Sequence, residues 1–367
     1  VSGLAITSLV LVQFRSHLRT RLAFDGRPVA IFGPNGAGKT NVLEAVSLLS
    51  PGRGMRRAGP EDLARKPEAP GWKVLAEVRG IAGTHEVETG AEGGATRQVR
   101  IDDKAATQAA LGRILRVLWL VPAMDRLWIE AAEGRRRFLD RMALSFFPDH
   151  GEAVLAYDKA MRERNRLLKE QATDAGWYAV LESRMAEAAS RMAANRAATV
   201  ARLMAVQEGS ETAFPRVALW LEHPEGEADD LALAWAEGRR RDMAAGRTLL
   251  GPHRVDMAGA FAARGVPAGQ CSTGEQKALL ISLILANARA LAQDLGRAPV
   301  LLLDEVAAHL DSDRRAALYD EICALGAQAI MTGTEAGLFT ALGDRAQAVA
   351  LHEAGGVSHL REGWGEA

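Results

Sequence analysis

The sequence predicts an α/β fold: a head of mixed sheet, with an antiparallel β patch and helices, split by a mostly α-helical arm. Three observations predict it. Val29-Ala30-Ile31-Phe32 is an apolar strand that runs into a glycine-rich turn and then a helix. A second apolar strand, Pro299-Val300-Leu301-Leu302-Leu303, comes only near the end of the chain. Between them, from about 105 to 245, Gly and Pro thin out and Ala, Arg, Glu and Met take over.

In chain order, Ile6-Thr7-Ser8-Leu9-Val10-Leu11-Val12 is β-prone and precedes the Val29 strand. A helix starting near Lys39 carries Val42, Leu43, Val46 and Leu49 at helical spacing. Residues 71–101 read as short strands separated by polar turns at Thr84-His85 and Gly93-Gly94, which is the antiparallel patch. In the arm, Leu181, Met185, Ala188 and Met192 step by four, three and four, as one face of a helix requires. Tyr157, Met161, Leu167 and Leu168 form a similar face, and both stripes predict a self-packed helical subdomain. After about 246 the α/β pattern returns, with a helix over roughly 313–325 and a strand near Ala329-Ile330-Met331. The expected divisions are residues 1–108 and 246–367 for the two halves of the head and 109–245 for the arm.

The 367 residues suffice for two or three domains, and apolar residues make up 48%, enough for a large core. No stretch approaches 18 uninterrupted apolar residues, so no membrane span is expected, and the first residues lack a signal-peptide pattern. Cys271 and Cys323 have no metal-ligand spacing and read as reduced thiols of a cytoplasmic protein. Net charge is −1, so no global basic field demands or excludes nucleic acid. Of 45 basic residues only seven are Lys, an excess of Arg that reflects base composition rather than function.

Gly33-Pro34-Asn35-Gly36-Ala37-Gly38-Lys39-Thr40 matches G-x-x-x-x-G-K-[ST], with Asn41 following, in the strand–turn–helix context the motif needs. Glycines let backbone N–H groups turn inward around a phosphate, and the helix N-terminus adds its positive dipole end. Lys39 is expected to reach the β- and γ-phosphates of ATP, and the Thr40 hydroxyl to ligate Mg²⁺.

A phosphate loop needs a carboxylate for the metal, and the Val300 strand ends in Asp304-Glu305. Asp304 is expected to hold Mg²⁺ through water, and Glu305 to polarise the attacking water as general base. A decoy exists at Val117-Leu118-Trp119-Leu120-Val121 with Asp125 beyond, but a proline and two more residues intervene. Lys39 and Asp304 lie 265 residues apart, far more than a compact phosphate-loop domain needs, so either something large is inserted between two halves of one fold or the two belong to different domains; the helical middle segment is a natural insertion.

Cys271-Ser272-Thr273-Gly274-Glu275-Gln276-Lys277 opens a long apolar helix 28 residues before Val300. Alone, Ser272 to Glu275 reads as a helix N-cap. Placed just upstream of the Asp304-Glu305 strand, it resembles the signature motif of ATP-binding-cassette (ABC) ATPases. His309-Leu310-Asp311 likewise resembles their D-loop, though as a tripeptide it is also an ordinary N-cap at Asp311 or Asp313.

Together these blocks resemble the RecF family, in the chromosome-maintenance branch of ABC ATPases, over nearly the whole chain. Leu9 to His17 resembles its opening strand and F-R-N-Y. Arg136-Arg137-Phe138-Leu139-Asp140 and Arg164-Asn165-Arg166-Leu167-Leu168-Lys169 resemble its arm blocks, and Gly246 to Asp256 its G-R-T-x-x-G-P-H-R-D-D. The resemblance implies an ABC-type head and an ATP-driven homodimer. Ser272, Thr273, Gly274, Glu275 and Asp311 of one copy would meet ATP held by the other. It also implies binding of double-stranded and gapped DNA near single-strand/double-strand junctions, and a slow, DNA-stimulated ATPase that releases the dimer. By the same analogy the partners are RecR and RecO in loading RecA during recombination repair and the damage response.

The chain departs from the family pattern in several places. Ser16 and His17 replace Asn and Tyr, and Val255-Asp256 replaces an acidic pair. No Gln stands near Pro122-Ala123-Met124 for the loop that senses Mg²⁺ and the γ-phosphate, and Thr332-Gly333-Thr334 holds no switch histidine. Turnover is therefore expected to be slow. Basic clusters at Arg53/Arg56/Arg57, Arg135 to Arg137 and Arg239 to Arg241 are candidate phosphate contacts or simply solvated surface. Alternatives are the ATPase subunit of an ABC transporter or an SMC-like structural DNA tether. The first lacks such an insertion, and the second needs hundreds of heptad residues that are absent here.

Overall fold

The computed structural model describes residues 3–66, 70–223, 226 and 228–361, in two compact units. The first comprises residues 1–125, 209–216 and 272–367; the second comprises 126–208 and 217–271.

The first unit holds two six-stranded sheets. One is antiparallel and contains the expected patch. In its Gly71–Arg79 strand, Trp72, Val74, Ala76 and Val78 are buried and the alternate positions face outward, the period of a half-buried strand. Ala5–Phe14 lies between this strand and His17–Ala23. The tight hairpin to His17–Ala23 is not visible in the apolar pattern, because Ser16-His17-Leu18-Arg19 carries no clean alternation. Arg15, at the turn, has φ 53°.

The second sheet runs in the order Val357–Leu360, Gln347–Ala354, Val29–Phe32, Ala329–Gly333, Val300–Leu303, Val117–Leu120, and is parallel except for the first strand. Its Val29–Phe32, Ala329–Gly333, Val300–Leu303 and Val117–Leu120 strands are buried throughout, which explains why all but Ala329–Gly333, with its Thr332, are unbroken apolar runs. The Thr273–Leu295 helix packs on the Val117–Leu120 edge. By length and composition it could cross a membrane, but 72% of its apolar window is buried in the protein, as a core helix requires.

The second unit is built on an antiparallel pair of helices, His150–Lys169 and Ala175–Glu208, with Ala132–Phe146 and Leu231–Ala245 beside them. Tyr157, Leu167, Leu168, Leu181, Met185, Ala188 and Met192 are buried in its core, as their spacing predicts. Arg164 is fully buried among Glu182 (3.1 Å), Asp242 (2.7 Å), the Thr248 hydroxyl (2.8 Å) and the Trp235 carbonyl (3.1 Å). Asn165 accepts from the Thr248 amide and hydroxyl at 2.7 and 2.8 Å. The Arg164 and Gly246 sequence blocks thus form one buried polar network, satisfied as buried charges must be.

The unit boundaries differ from those read in the sequence. Residues 109–125 stay with the first unit because Val117–Leu120 pairs with Val300–Leu303. Residues 246–271 stay with the second because Asp256–Phe261 pairs with Val217–Glu222 and Val266–Pro267, a small sheet that the helical character of the arm conceals.

Candidate nucleotide site

The site stands at the C-terminal ends of the parallel strands, where open α/β sheets place their ligands. Val29–Phe32 delivers the glycine loop, and the Lys39–Ser47 helix begins at Gly38, whose φ is 92°. A Cβ on Gly38 would lie 2.2 Å from Ser358 Oγ and 2.9 Å from His17 Nε2, so only glycine fits. Pro34, Asn35 and Gly36 are exposed at the crest, and a Cβ at Gly36 (φ 86°) would meet open space. Ala37 is buried beneath them.

Lys39 is 4% exposed and its Nζ donates to the carbonyls of Gly33 (2.7 Å) and Pro34 (3.0 Å). Burial lowers its pKa from the usual lysine value, against the charges of Glu305 and Asp304, which raise it. Thr40 Oγ1 donates to Asp304 Oδ1 at 2.9 Å, bringing the two motifs together across the sheet. Ala329–Gly333 separates their strands and supplies Thr332, which is fully buried. Thr332 Oγ1 donates to the same Asp304 oxygen at 2.8 Å and accepts from the Glu305 amide at 2.9 Å. That bond holds Glu305 in the left-handed region, at φ 55°. A non-glycine residue pays about 1–2 kcal/mol there, a cost characteristic of functional turns.

Thr332 is the main residue that sequence reasoning misses. Its hydroxyl acts only through a neighbouring strand, and the sequence marks that segment solely by a missing histidine. A second layer under the loop is also new. Ser16 Oγ receives the Asn41 amide (2.8 Å) and contacts Ser358 Oγ (2.7 Å). His17 is fully buried, with Nε2 3.2 Å from the Gly38 carbonyl and Nδ1 2.9 Å from Thr20 Oγ1. Burial lowers its pKa, so the neutral ring donates to Gly38 and accepts from Thr20. Asn41, expected against the nucleotide, has both ends of its amide engaged, since its Oδ1 accepts from Arg56 at 3.1 Å. Glu44 in the same helix is buried and grips Arg15 through two bonds, at 2.9 and 2.7 Å.

Asp125, the acid beyond the Val117–Leu120 strand, is engaged elsewhere: its Oδ2 pairs with Lys277 Nζ at 3.2 Å. Ser272, Thr273 and Gly274 are exposed at the start of the Thr273–Leu295 helix. Ser272 caps it in a capping box: its Oγ accepts from the Glu275 amide (3.4 Å), while its amide and hydroxyl both donate to Glu275 Oε2 (2.9 Å each). Asp311 caps the Ser312–Leu325 helix through the Arg314 amide at 2.8 Å and is also exposed. The side chain of His309 lies outside the described residues. Thr334 is exposed.

Of the basic clusters, Arg56 pairs with Glu44, Arg135 with Asp256, Arg137 with Glu133 and Arg239 with Glu182. Arg53, Arg57, Arg240 and Arg241 are exposed and, among the described residues, are in no ion pair.

Thr40 Oγ1 and Asp304 Oδ1 are hard oxygen donors of the kind Mg²⁺ takes. No group of three or more His, Cys, Asp or Glu among the described residues could hold a metal alone, so phosphate and water would complete such a shell. A glycine loop at a helix N-terminus, the Thr40–Asp304 pair and a capped, exposed signature turn define an ABC-type ATPase head split by an inserted unit. Comparison with known proteins narrows this. Residues 5–358 match the family model of the RecF/RecN/SMC N terminal domain. The chain is 46% identical over 358 residues to a "DNA replication and repair protein RecF" of Rhizobium etli, covering 94% of this chain and 96% of the relative. It is 47% identical over 359 residues to the Agrobacterium fabrum protein of that name, with the same coverage. The chain belongs to the RecF family. Its fold is similar to that of a solved "recombination mediator protein RecF-ATP", with a TM-score of 0.83, 22% identity and 98% of each chain covered. A Pyrococcus furiosus Smc head domain matches at a TM-score of 0.57 and 17% identity, over 98% of this chain and 96% of that one.

Proposed function

We propose that this chain is an ATP-dependent DNA-binding protein of recombination repair, whose ATP site is completed between two copies. The observation that carries the reading is the division of the site. Thr40, Asp304, Glu305 and Lys39 converge at the C-terminal ends of the parallel strands, while Ser272–Gly274 is turned to solvent. An anion-binding helix start that is exposed in one copy suits the phosphate of a nucleotide carried by another. The relatives' names, and a solved structure of "RecF-ATP in RecFOR pathway", support the same reading.

In it, Lys39 and the loop amides bind the β- and γ-phosphates of the substrate ATP, with Gly33 to Gly38 wrapping them. Thr40 and Asp304 hold Mg²⁺, which supplies charge neutralisation on the phosphates. Glu305 orients the attacking water and takes its proton, and Thr332 sets its position. Hydrolysis is slow, because no Gln or switch His completes the set, and the dimer persists on DNA until it occurs. Arg53, Arg57, Arg240 and Arg241 are the available phosphate contacts, which makes DNA binding fall with salt. RecR and RecO are the expected partners, and the cytoplasm the expected location.

Sedimentation of the wild type and of Lys39→Ala, with and without ATP and gapped DNA, tests this. The wild type should dimerise with ATP and move with the DNA; Lys39→Ala should remain a monomer. ATP-driven dimers of Lys39→Ala, or a wild type indifferent to ATP, would overturn the mechanism.

A further inference from the structure

The head first loses its chain to the second unit after Asp125 and finally regains it at Ser272, the first residue of the signature turn. An ion pair spans those two crossing points: Asp125 Oδ2 lies 3.2 Å from Lys277 Nζ. Lys277 is in the second turn of the Thr273–Leu295 helix, with its side chain only 6% exposed. A buried ammonium near the positive end of a helix is doubly unfavourable, from lost hydration and from the helix dipole. Asp125 offsets both.

On its other side Asp125 is tied to the carboxylate pair. It follows the short Pro122–Met124 turn at the end of the Val117–Leu120 strand. The Leu120 carbonyl of that strand accepts from the Asp304 amide at 3.0 Å. A path of a few residues therefore leads from Asp304 through Leu120 to Asp125, and from Lys277 to Ser272. The contact is also only half made. Asp125 Oδ1 is buried and has no hydrogen-bond partner among the described residues, so the carboxylate is held through one oxygen alone. A single 3.2 Å contact is a hold that can be released.

We propose that the Asp125–Lys277 pair is the clasp that positions the signature turn relative to the Asp304–Glu305 end of the sheet, which makes Asp125 a positioning residue for ATP-driven dimerisation. Asp125 occupies the loop in which the family pattern leads one to look for a glutamine. The inference rests on the composite-site reading above.

The test uses the full chain with Asp125→Asn, Lys277→Met and the swap Asp125→Lys/Lys277→Asp. Hydrogen exchange of the nucleotide-free monomer reads the clasp directly. Amides 272–280 should exchange about tenfold faster in each single variant and return toward wild type in the swap, with the Lys39–Ser47 helix unchanged. Binding of a fluorescent ATP analogue to the monomer should be unaffected, while the ATP-dependent dimerisation midpoint rises about tenfold in the single variants. Asp125→Asn is nearly isosteric and guards against a Lys277→Met variant that folds poorly. Unchanged exchange and dimerisation in Asp125→Asn would overturn the proposal. Faster exchange throughout the head, or lost nucleotide binding, would overturn it equally by showing a merely structural pair. A wild type that ignores ATP would sink the composite-site reading alone, and the exchange measurement would still decide the clasp.

Discussion

Replacing Thr332 with valine removes one hydroxyl from a fully buried position and changes little else in volume, so its effect can be worked out from two bonds. The first is the donation to Asp304 Oδ1 at 2.8 Å. Thr40 donates to the same oxygen at 2.9 Å, so the carboxylate keeps a partner. A charge-assisted bond contributes about 1.5–3 kcal/mol, and this loss falls at the lower end. The second is the acceptance from the Glu305 amide at 2.9 Å. Valine offers that N–H nothing, and a half-buried unsatisfied donor costs about 1–3 kcal/mol. The same bond holds Glu305 at φ 55°, where the backbone stores about 1–2 kcal/mol. Once the bond is gone, satisfying the N–H and relieving the backbone both favour a shift of Glu305 out of its place. A displacement of about 1 Å in a positioned group costs roughly 100-fold in rate. Lys39 and Thr40 are untouched, so ATP binding should change by less than about threefold, which is within about 0.7 kcal/mol. Single-turnover hydrolysis beside equilibrium binding of a fluorescent ATP analogue separates the two quantities, and Thr332→Ser, which keeps the hydroxyl, should retain most of the rate. Turnover by Thr332→Val within twofold of wild type would refute the reasoning, as would an equal loss in the serine variant.

Other outcomes follow from the same geometry. Gly38→Ala places a Cβ 2.2 Å from Ser358 Oγ at φ 92°, so calorimetry should find ATP binding weakened about tenfold or more in a chain that still folds. Ser272→Arg should block ATP-driven dimerisation in light scattering and leave monomer binding intact; loss of nucleotide binding would place the turn in the site of its own chain. His253 in the second unit is held neutral, its pKa pushed by burial down to about 4, with the Tyr157 hydroxyl 2.7 Å from Nδ1. A depressed histidine contributes stability that is complete above its unfolded value of about 6.5 and is lost as pH falls through that value toward 4. The thermal unfolding midpoint should therefore fall as pH drops through that window, and His253→Gln should flatten the decline. A variant with an unchanged pH profile would argue against the assignment. Asp140, whose pKa is lowered by bonds to His150 and Arg196 against its burial, adds a loss only below the ordinary aspartate value, so the two windows are separable.

What the sequence made legible is what short-range physics encodes. Gly33 to Thr40 is a contiguous motif whose glycines, helix start and preceding strand all lie within a few residues, and the structure has that strand and that helix. Asp304 could be placed at a strand end because Val300–Leu303 is apolar at every position, the mark of a strand covered on both faces. Spacing left an insertion and two separate domains both open, and the helical composition of the middle segment pointed to the insertion. The rest depended on register across long separations. Ser16 meets Ser358 because two hairpins pack side by side, and nothing local in either segment announces it. Thr332 lies beside Asp304 only because Ala329–Gly333 is threaded between the two motif strands. The arm boundaries differ for a related reason: Val117–Leu120 pairs with the distant Val300–Leu303, and Asp256–Phe261 pairs with Val217–Glu222, a strand hidden within the helical stretch, so local composition did not show where either belonged.

Both halves of the proposed site are already satisfied within a single chain, and this bears on how such a site could be switched. Lys39 rests on two carbonyls, Thr40 on Asp304, and the Ser272 amide and hydroxyl on Glu275. A phosphate arriving at either half exchanges hydrogen bonds rather than filling vacant ones, so the net gain per contact is modest. At the signature turn the exchange has a sign. The Glu275 carboxylate sits on the groups an incoming phosphate would use, and like charges repel. A glutamine at this position would keep the capping box without the charge. In the proposed dimer the acid would raise the threshold for association, which ATP held by the glycine loop would have to offset. Such a threshold would favour a slow clamp over a rapid cycle in the proposed dimer.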